Sequence, residues 1–189
     1  MKRARSLPRK RPSSTETAGV RRAGSAQSHG RTAKGTRAKT LPLFTIGYEQ
    51  AKPAAVLGEL AQAKVDTLVD VRAVAASRRP GFSKRQLAAS LDEAGIAYLH
   101  FQKLGTPAEG RQAARAGDRE TLWRIYEKHI RKVEPQAELD ELTGLIKSGK
   151  RIALLCYCRD PRTCHRWVVC THLEKRLPLK IDDLIPPLF

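Results

Sequence analysis

Arg151-Ile152-Ala153-Leu154-Leu155-Cys156-Tyr157-Cys158-Arg159-Asp160-Pro161-Arg162-Thr163-Cys164-His165-Arg166 begins as an unbroken apolar run and ends in thiols, an imidazole and arginines. From Ile152 to Cys156 no polar residue alternates with the apolar ones. Such a run reads as a strand covered on both faces, which is the habit of strands inside parallel sheets. Thr163 reads as an N-cap, which puts Cys164 and His165 in the first turn of a helix running to about Lys175.

The flanking segments repeat this grammar. Leu43-Phe44-Thr45-Ile46, stopped by Gly47, and Thr67-Leu68-Val69-Asp70-Val71 read as strands, and Ala97-Tyr98-Leu99-His100-Phe101 reads as a third. Between them Pro53 opens a helix with Val56, Leu57, Leu60 and Ala61 on one face. Ser83-x-x-Gln86 has the form of a capping box ahead of Leu87, Leu91 and Ala94, with Gly95 closing the helix. Thr106 to Gly117 is rich in Gly, Ala and Arg without apolar periodicity, so it is expected to be a loop over the surface. Asp118 caps a helix carrying Leu122, Ile125, Tyr126 and Ile130, and another starts at Pro135 and ends at Gly149. A short strand is expected near Ile181. Alternating strands and helices predict an α/β fold: a single three-layer domain with a mostly parallel sheet of about five strands.

The 189 residues carry 36 Lys+Arg against 19 Asp+Glu, a formal charge of +17. Twelve of those basic residues and only one acid, Glu16, fall in 1–40. That stretch has no aromatic residue and few large aliphatic ones, so it cannot bury enough apolar surface to offset ordering, and a disordered basic tail is expected there, with the folded domain over 41–189. An Arg/Lys-rich arm favours polyanions through counterion release, which makes nucleic acid its natural partner. No apolar run approaches the ~18–20 residues of a membrane span, so no membrane partner is expected. Four cysteines confined to Cys156–Cys170 suit a local reactive or metal site better than a disulfide framework, which implies a reducing, cytoplasmic setting.

In a parallel sheet, ligands gather outside the carboxyl ends of the strands. Gly47, Tyr48, Asp70, Arg72, Ser77, Arg78 and Cys156 all fall at or just beyond such ends. Asp70 and Arg72, two apart, share one side of their strand end, either as a base beside an anion anchor or as an ion pair that orders the loop. Gly47, Tyr48, Arg72, Ser77, Arg78 and Arg166 are the candidate contacts for an anionic, phosphate-bearing ligand. Cys164, at a helix start among Arg159, Arg162 and Arg166, has the surroundings of an activated thiol, with His165 to carry the proton. Cys156 is the alternative nucleophile, and Asp70 completes the candidate catalytic set. Cys156 and Arg162 also match the bare spacing of a cysteine phosphatase loop, but that loop's glycine is missing and Pro161 removes an N–H donor. Cys156, Cys158, Cys164 and His165 could instead ligate zinc, although their spacing is not a common zinc pattern and no cofactor is the expectation. Cys170 reads as core.

Taken in order, Thr45-Ile46-Gly47-Tyr48, Leu68-Val69-Asp70-Val71-Arg72, Ser77-Arg78 with Phe82-Ser83-Lys84, Gly95-Ile96-Ala97-Tyr98, Leu104-Gly105 and Leu155-Cys156 through Pro161 to Cys164-His165-Arg166 resemble the DUF488 family of small domains of unknown function. The resemblance runs from Leu43 to about Leu184. It implies an α/β domain with signature positions at Gly47, Asp70, Arg72, Ser77, Arg78, Cys156, Cys164, His165 and Arg166, and it implies no particular reaction. Many relatives carry an acid where this chain has Cys158, and a His-Ser pair where it has Tyr48-Glu49.

Overall fold

A computed structural model describes residues 40–188. The expected basic tail therefore lies almost wholly outside the described residues. The chain runs β1 (Leu41–Gly47), α1 (Pro53–Gln62), β2 (Thr67–Asp70), α2 (Lys84–Glu93), β3 (Ala97–His100), α3 (Ala108–Arg115), α4 (Arg119–Ile130), α5 (Val133–Lys147), β4 (Ile152–Cys156), α6 (His165–Glu174) and β5 (Leu179–Leu184). The strands form one five-stranded sheet in the order β3-β2-β4-β1-β5, and every named pair is parallel. An isolated antiparallel bridge, Ala51 to Leu188, adds to its margin.

Side-chain alternation along each strand divides the core into two layers. Leu43, Val69, Ile152 and Leu154 face one way, onto Tyr126, Ile130, Leu139, Leu142, Val169 and Leu173 of α4, α5 and α6. Phe44, Ile46, Leu68, Ala153 and Leu155 face the other way, onto Val56 and Leu60 of α1 and Leu87 and Leu91 of α2. β4 is therefore covered on both faces, which is why its sequence is apolar throughout.

The strand order has a consequence for function. From β1 the chain moves through α1 to β2 and through α2 to β3, always by helices of one layer. From β3 it returns through α4 and α5 to β4, and through α6 to β5, in the other layer. A reversal of direction with a change of face is what one crossover hand requires. The reversal falls at β4, whose neighbours β1 and β2 send their following segments to the opposite layer, so a crevice opens at the carboxyl end of β4.

Several local expectations are corrected. Thr106 to Gly117 is not a loop, since α3 occupies Ala108–Arg115. Its inward face is built from Gly110 and Ala113, too small to register as apolar periodicity. Ser83 precedes α2, but its side chain makes no capping bond to the helix; its Oγ donates to the Ser77 carbonyl and accepts from the Ser77 N–H. Gln86 accepts from the Gly81 N–H instead. Pro161–Thr163 forms a 3-10 turn, so the N-cap of α6 is Cys164, with extended backbone, and His165 is the first helical residue. Helix α5 starts at Val133, two residues ahead of Pro135, which sits within its first turn. The Asp118 cap is present, its carboxylate accepting from the Thr121 N–H at 2.9 Å.

Candidate functional site

Parallel pairing brings three strand ends into register, with Gly47 of β1 opposite Cys156 of β4 and Asp70 of β2 opposite Leu155. The ladder continues past the strands: the Glu49 N–H donates to the Tyr157 carbonyl at 2.8 Å and the Val71 N–H to the Leu155 carbonyl at 3.1 Å. Gly47 has no room for a Cβ, because the carbonyl of Cys158 lies against it. The Glu49 carboxylate then accepts from the Arg159 N–H at 3.0 Å, tying the cysteine loop to β1.

Asp70 and Arg72 form a buried pair. Arg72 donates from Nε to Asp70 Oδ1 at 2.8 Å and from Nη2 to Oδ2 at 2.6 Å, and the backbone N–H of Arg72 adds a bond to Oδ1 at 3.0 Å. Tyr98 completes the set, its hydroxyl donating to Oδ2 at 2.7 Å. The four acceptor positions of a carboxylate are thereby occupied. The other arm of Arg72 donates from Nη1 to the Tyr48 hydroxyl at 2.8 Å and to the Phe82 carbonyl at 3.0 Å. Burial works against the Arg72 charge, but the Asp70 carboxylate outweighs it and holds the guanidinium above its ordinary pKa. Burial, then the bond to Asp70, pushes the Tyr98 phenol up. Tyr48 stacks on Phe82 with ring centroids 4.3 Å apart and meets Tyr157 edge-on.

Two thiols converge on His165, and a third, Cys158, lines the same cavity. The Nδ1 atom lies 3.5 Å from Cys156 Sγ and 3.6 Å from Cys164 Sγ, while Nε2 is 2.9 Å from the Val71 carbonyl. A carbonyl only accepts, so Nε2 carries a proton and Nδ1 is the atom aimed at sulfur. The Cys158 thiol interacts with both other sulfurs, and donation to Cys156 pushes its pKa up to about 12. Burial pushes Cys156 up, but the other thiols and the His165 charge outweigh it and hold Cys156 well below the usual thiol range. Burial and the neighbouring sulfurs push Cys164 well above that range. Burial works against a charged His165, and the Cys156 thiolate overcomes it, raising the imidazole. Cys170 stands apart in the core, pushed to about 12 mainly by burial.

Beneath the cluster lies Arg166, only 1% exposed. Its Nη2 donates to the Cys158 carbonyl at 2.8 Å, while Nε and Nη1 have no hydrogen-bond partner among the described residues.

Two spaces that share Arg72, Val74, Arg111 and Arg115 lie at these residues. A cavity of about 290 Å³ has Cys156, Cys158, Cys164, His165 and Arg72 at its base and Thr106, Arg111, Ala114, Arg115 and Leu122 around it. A groove of about 550 Å³ is lined by Tyr48, Arg72, Ser77, Arg78, Arg79, Arg111, Arg115 and Tyr157, together with Val74 and Ala76. No acid is among these lining residues. Of the candidates read from sequence, Tyr48, Arg72, Ser77 and Arg78 share the groove, and Cys156, Cys164 and His165 share the cavity with Arg72. Gly47, Asp70 and Arg166 line neither space. Ser77 also shapes its own loop, its hydroxyl accepting from the Arg79 N–H at 3.1 Å. Arg111 and Arg115 are absent from the candidates because their segment has no apolar periodicity to mark it as the helix it is. Their spacing of four residues, one helical turn, was the available signal.

These features define a class: a three-layer α/β domain with a parallel sheet and an arginine- and cysteine-lined crevice at its topological switch point. The chain belongs to the DUF488 family, whose model, a domain of unknown function, matches residues 52–173. The match covers α1 through nearly all of α6 and leaves β1 and β5 outside it. No curated protein matches the chain.

Proposed function

We propose that the crevice binds an anionic, phosphate-bearing ligand and that the basic N-terminal arm holds the domain near nucleic acid, in a cytoplasmic setting. The observation that carries this reading is the composition of the groove, which gathers Arg72, Arg78, Arg79, Arg111 and Arg115 with no acid among its lining residues. Arg72 is neutralised by Asp70, so the positive field is supplied by other arginines, Arg111 and Arg115 among them. Guanidinium groups suit phosphate because their planar forks match its oxygens. Tyr157, 45% exposed at the groove, offers an aromatic face beside those charges, the combination that receives a nucleobase next to its phosphate. In this reading Asp70 orients Arg72 and Tyr98 and takes no proton from the ligand.

The test is calorimetric titration of the full chain with inorganic pyrophosphate. Binding that weakens at least tenfold in Arg111→Ala/Arg115→Ala, with the thermal transition unchanged, supports the reading. Binding absent from the wild type, or indifferent to the two substitutions, overturns it.

A second reading is a cysteine-dependent hydrolase or transferase, favoured by the Cys156–His165 approach at the base of the cavity. A Cys156 thiolate attacks an electrophilic phosphorus or acyl carbon, His165 protonates the leaving group, and water or a second acceptor releases the product from sulfur. Cys164 is the alternative nucleophile. Alkylation rates mapped by peptide mass on reduced, metal-free, folded protein separate the two readings. A thiolate reactive well below the ~8.5 of an ordinary thiol favours the enzyme, and thiols inert until unfolding favour the binding site.

A further inference from the structure

We propose that Cys156, Cys158, Cys164 and His165 form a zinc site of three thiolates and one imidazole at the base of the crevice. The spacing that argued against zinc in the sequence describes one loop. The fold supplies two separate platforms, the end of β4 for Cys156 and Cys158 and the start of α6 for Cys164 and His165.

Three observations support the site independently. The ligand atoms of Cys156, Cys164 and His165 all lie within 4.8 Å of one another. A tetrahedral zinc with bonds of about 2.3 Å to sulfur and about 2.0–2.1 Å to nitrogen sets sulfur–nitrogen edges near 3.5 Å. The edges from Cys156 and Cys164 to His165 Nδ1 are 3.5 and 3.6 Å. Second, His165 is held by the Val71 carbonyl through Nε2, the support typical of a ligating imidazole, and this leaves the Nδ1 lone pair to face the thiols.

Third, the charge balance selects three thiolates. Arg166 is buried beside this cluster with two of its nitrogens lacking a hydrogen-bond partner among the described residues, and a buried cation of that kind needs a compensating anion. Zinc with two thiolates and a neutral imidazole is uncharged. With three thiolates the centre carries one negative charge, opposite to Arg166. Cys158, two residues past Cys156, lines the same cavity as the other three ligands and its carbonyl accepts from Arg166, so it is the thiol that completes the set. On binding, three protons pass to solvent, one each from Cys158 and Cys164 and one shared by the Cys156–His165 pair, as three zinc–sulfur bonds and one zinc–nitrogen bond form with no change of oxidation state.

The inference goes beyond the anion-binding reading, and it competes with the nucleophile reading because it commits the same thiols. The 189-residue chain, purified in a phosphine reductant without chelators, is expected to hold one zinc per chain by elemental analysis. Replacing zinc with Co2+ is expected to give the visible bands of a tetrahedral centre and a near-ultraviolet sulfur-to-metal band, both abolished by excess Zn2+. Cys158→Ser is expected to lose about a third of the sulfur band, as one thiolate in three requires, and Cys170→Ser to lose none. Uptake of neither metal by the wild type overturns the site, and needs no variant that must fold. An unchanged sulfur band in Cys158→Ser overturns the three-thiolate set. Pyrophosphate titration of the same sample reports the anion site separately, so either proposal can fail without the other.

Discussion

At the scale of single residues, the crevice is held by commitments that leave little freedom. Arg72 satisfies Asp70, Tyr48 and the Phe82 carbonyl at once, so removing its side chain strands a fully buried carboxylate. Arg72→Ala is expected to lower unfolding free energy by about 3–5 kcal/mol in urea denaturation, the cost of breaking a buried pair by removing one partner. Asp70→Leu/Arg72→Met, which removes both charges, is expected to recover part of that loss. Cys170, with its pKa near 12, is expected to resist iodoacetamide in the folded protein even in mild alkali and to react at the ordinary rate once urea unfolds the chain, read by peptide mass. Gly47→Ala drives a methyl group into the Cys158 carbonyl, which is backbone and cannot swing aside. It is expected to lower the melting temperature and to diminish the cobalt spectrum by displacing the loop that carries Cys158.

At the scale of elements, α3 is the piece that turns the strand ends into a cavity, and it rests on small residues. A Cβ on Gly110 would meet the Thr106 methyl at 2.8 Å and the side chains of Ile125 and Leu122 at 3.5 Å. Gly110→Val is expected to push α3 away from α4, costing about 1–3 kcal/mol of stability by overpacking and weakening pyrophosphate binding, since Arg111 moves with the helix. The cap of α4 gives a pH signature. The Thr121 N–H holds the Asp118 carboxylate below its ordinary value, so its contribution to stability is complete above about pH 4 and is lost as pH falls through the folded value. Asp118→Asn, an equally good cap without that titration, is expected to flatten this part of the acid limb in urea midpoints taken from about pH 5 to about pH 2. Elements with large side chains were legible from sequence: Val56 and Leu60, Leu87 and Leu91, and the unbroken run of β4 each announced their burial. Helix α3 was illegible because Gly110 and Ala113 bury a face without hydrophobic periodicity. With it went Arg111 and Arg115, two of the five arginines that line the groove. Asp70 and Arg72 were readable as neighbours from their spacing, whereas Tyr98 joined them only through the β2–β3 register. The thiol cluster is readable as a group, but its meeting with His165 Nδ1 depends on the Pro161–Thr163 3-10 turn, whose Thr163 looks like an N-cap in the sequence.

For the whole molecule, basic residues are divided between the 1–40 segment and the crevice, and salt is expected to separate their proposed contributions. The twelve basic residues of 1–40 are expected to steepen the salt dependence of binding to a single-stranded oligonucleotide. A chain starting at Thr40 is expected to show a log K against log salt slope shallower by several units, at most about 8 if all twelve contact phosphates at roughly 0.7 each. An equal slope for both chains would remove the arm from the interface. The strand order reaches further, into how the protein is made. β1 and β2 do not touch, because β4 lies between them, and β4 is the fourth strand to leave the ribosome. Until its residues emerge, the nascent chain can pair only β2 with β3, while β1 and the inner edge of β2 stay open. Open apolar edges of that kind invite wrong partners, and closing a gap of about a hundred residues is slow. The strand that leads into the cysteine loop is thus also the keystone of assembly, and a chain interrupted before Ile152 would have a lone β1, a β2–β3 pair and nothing to join them.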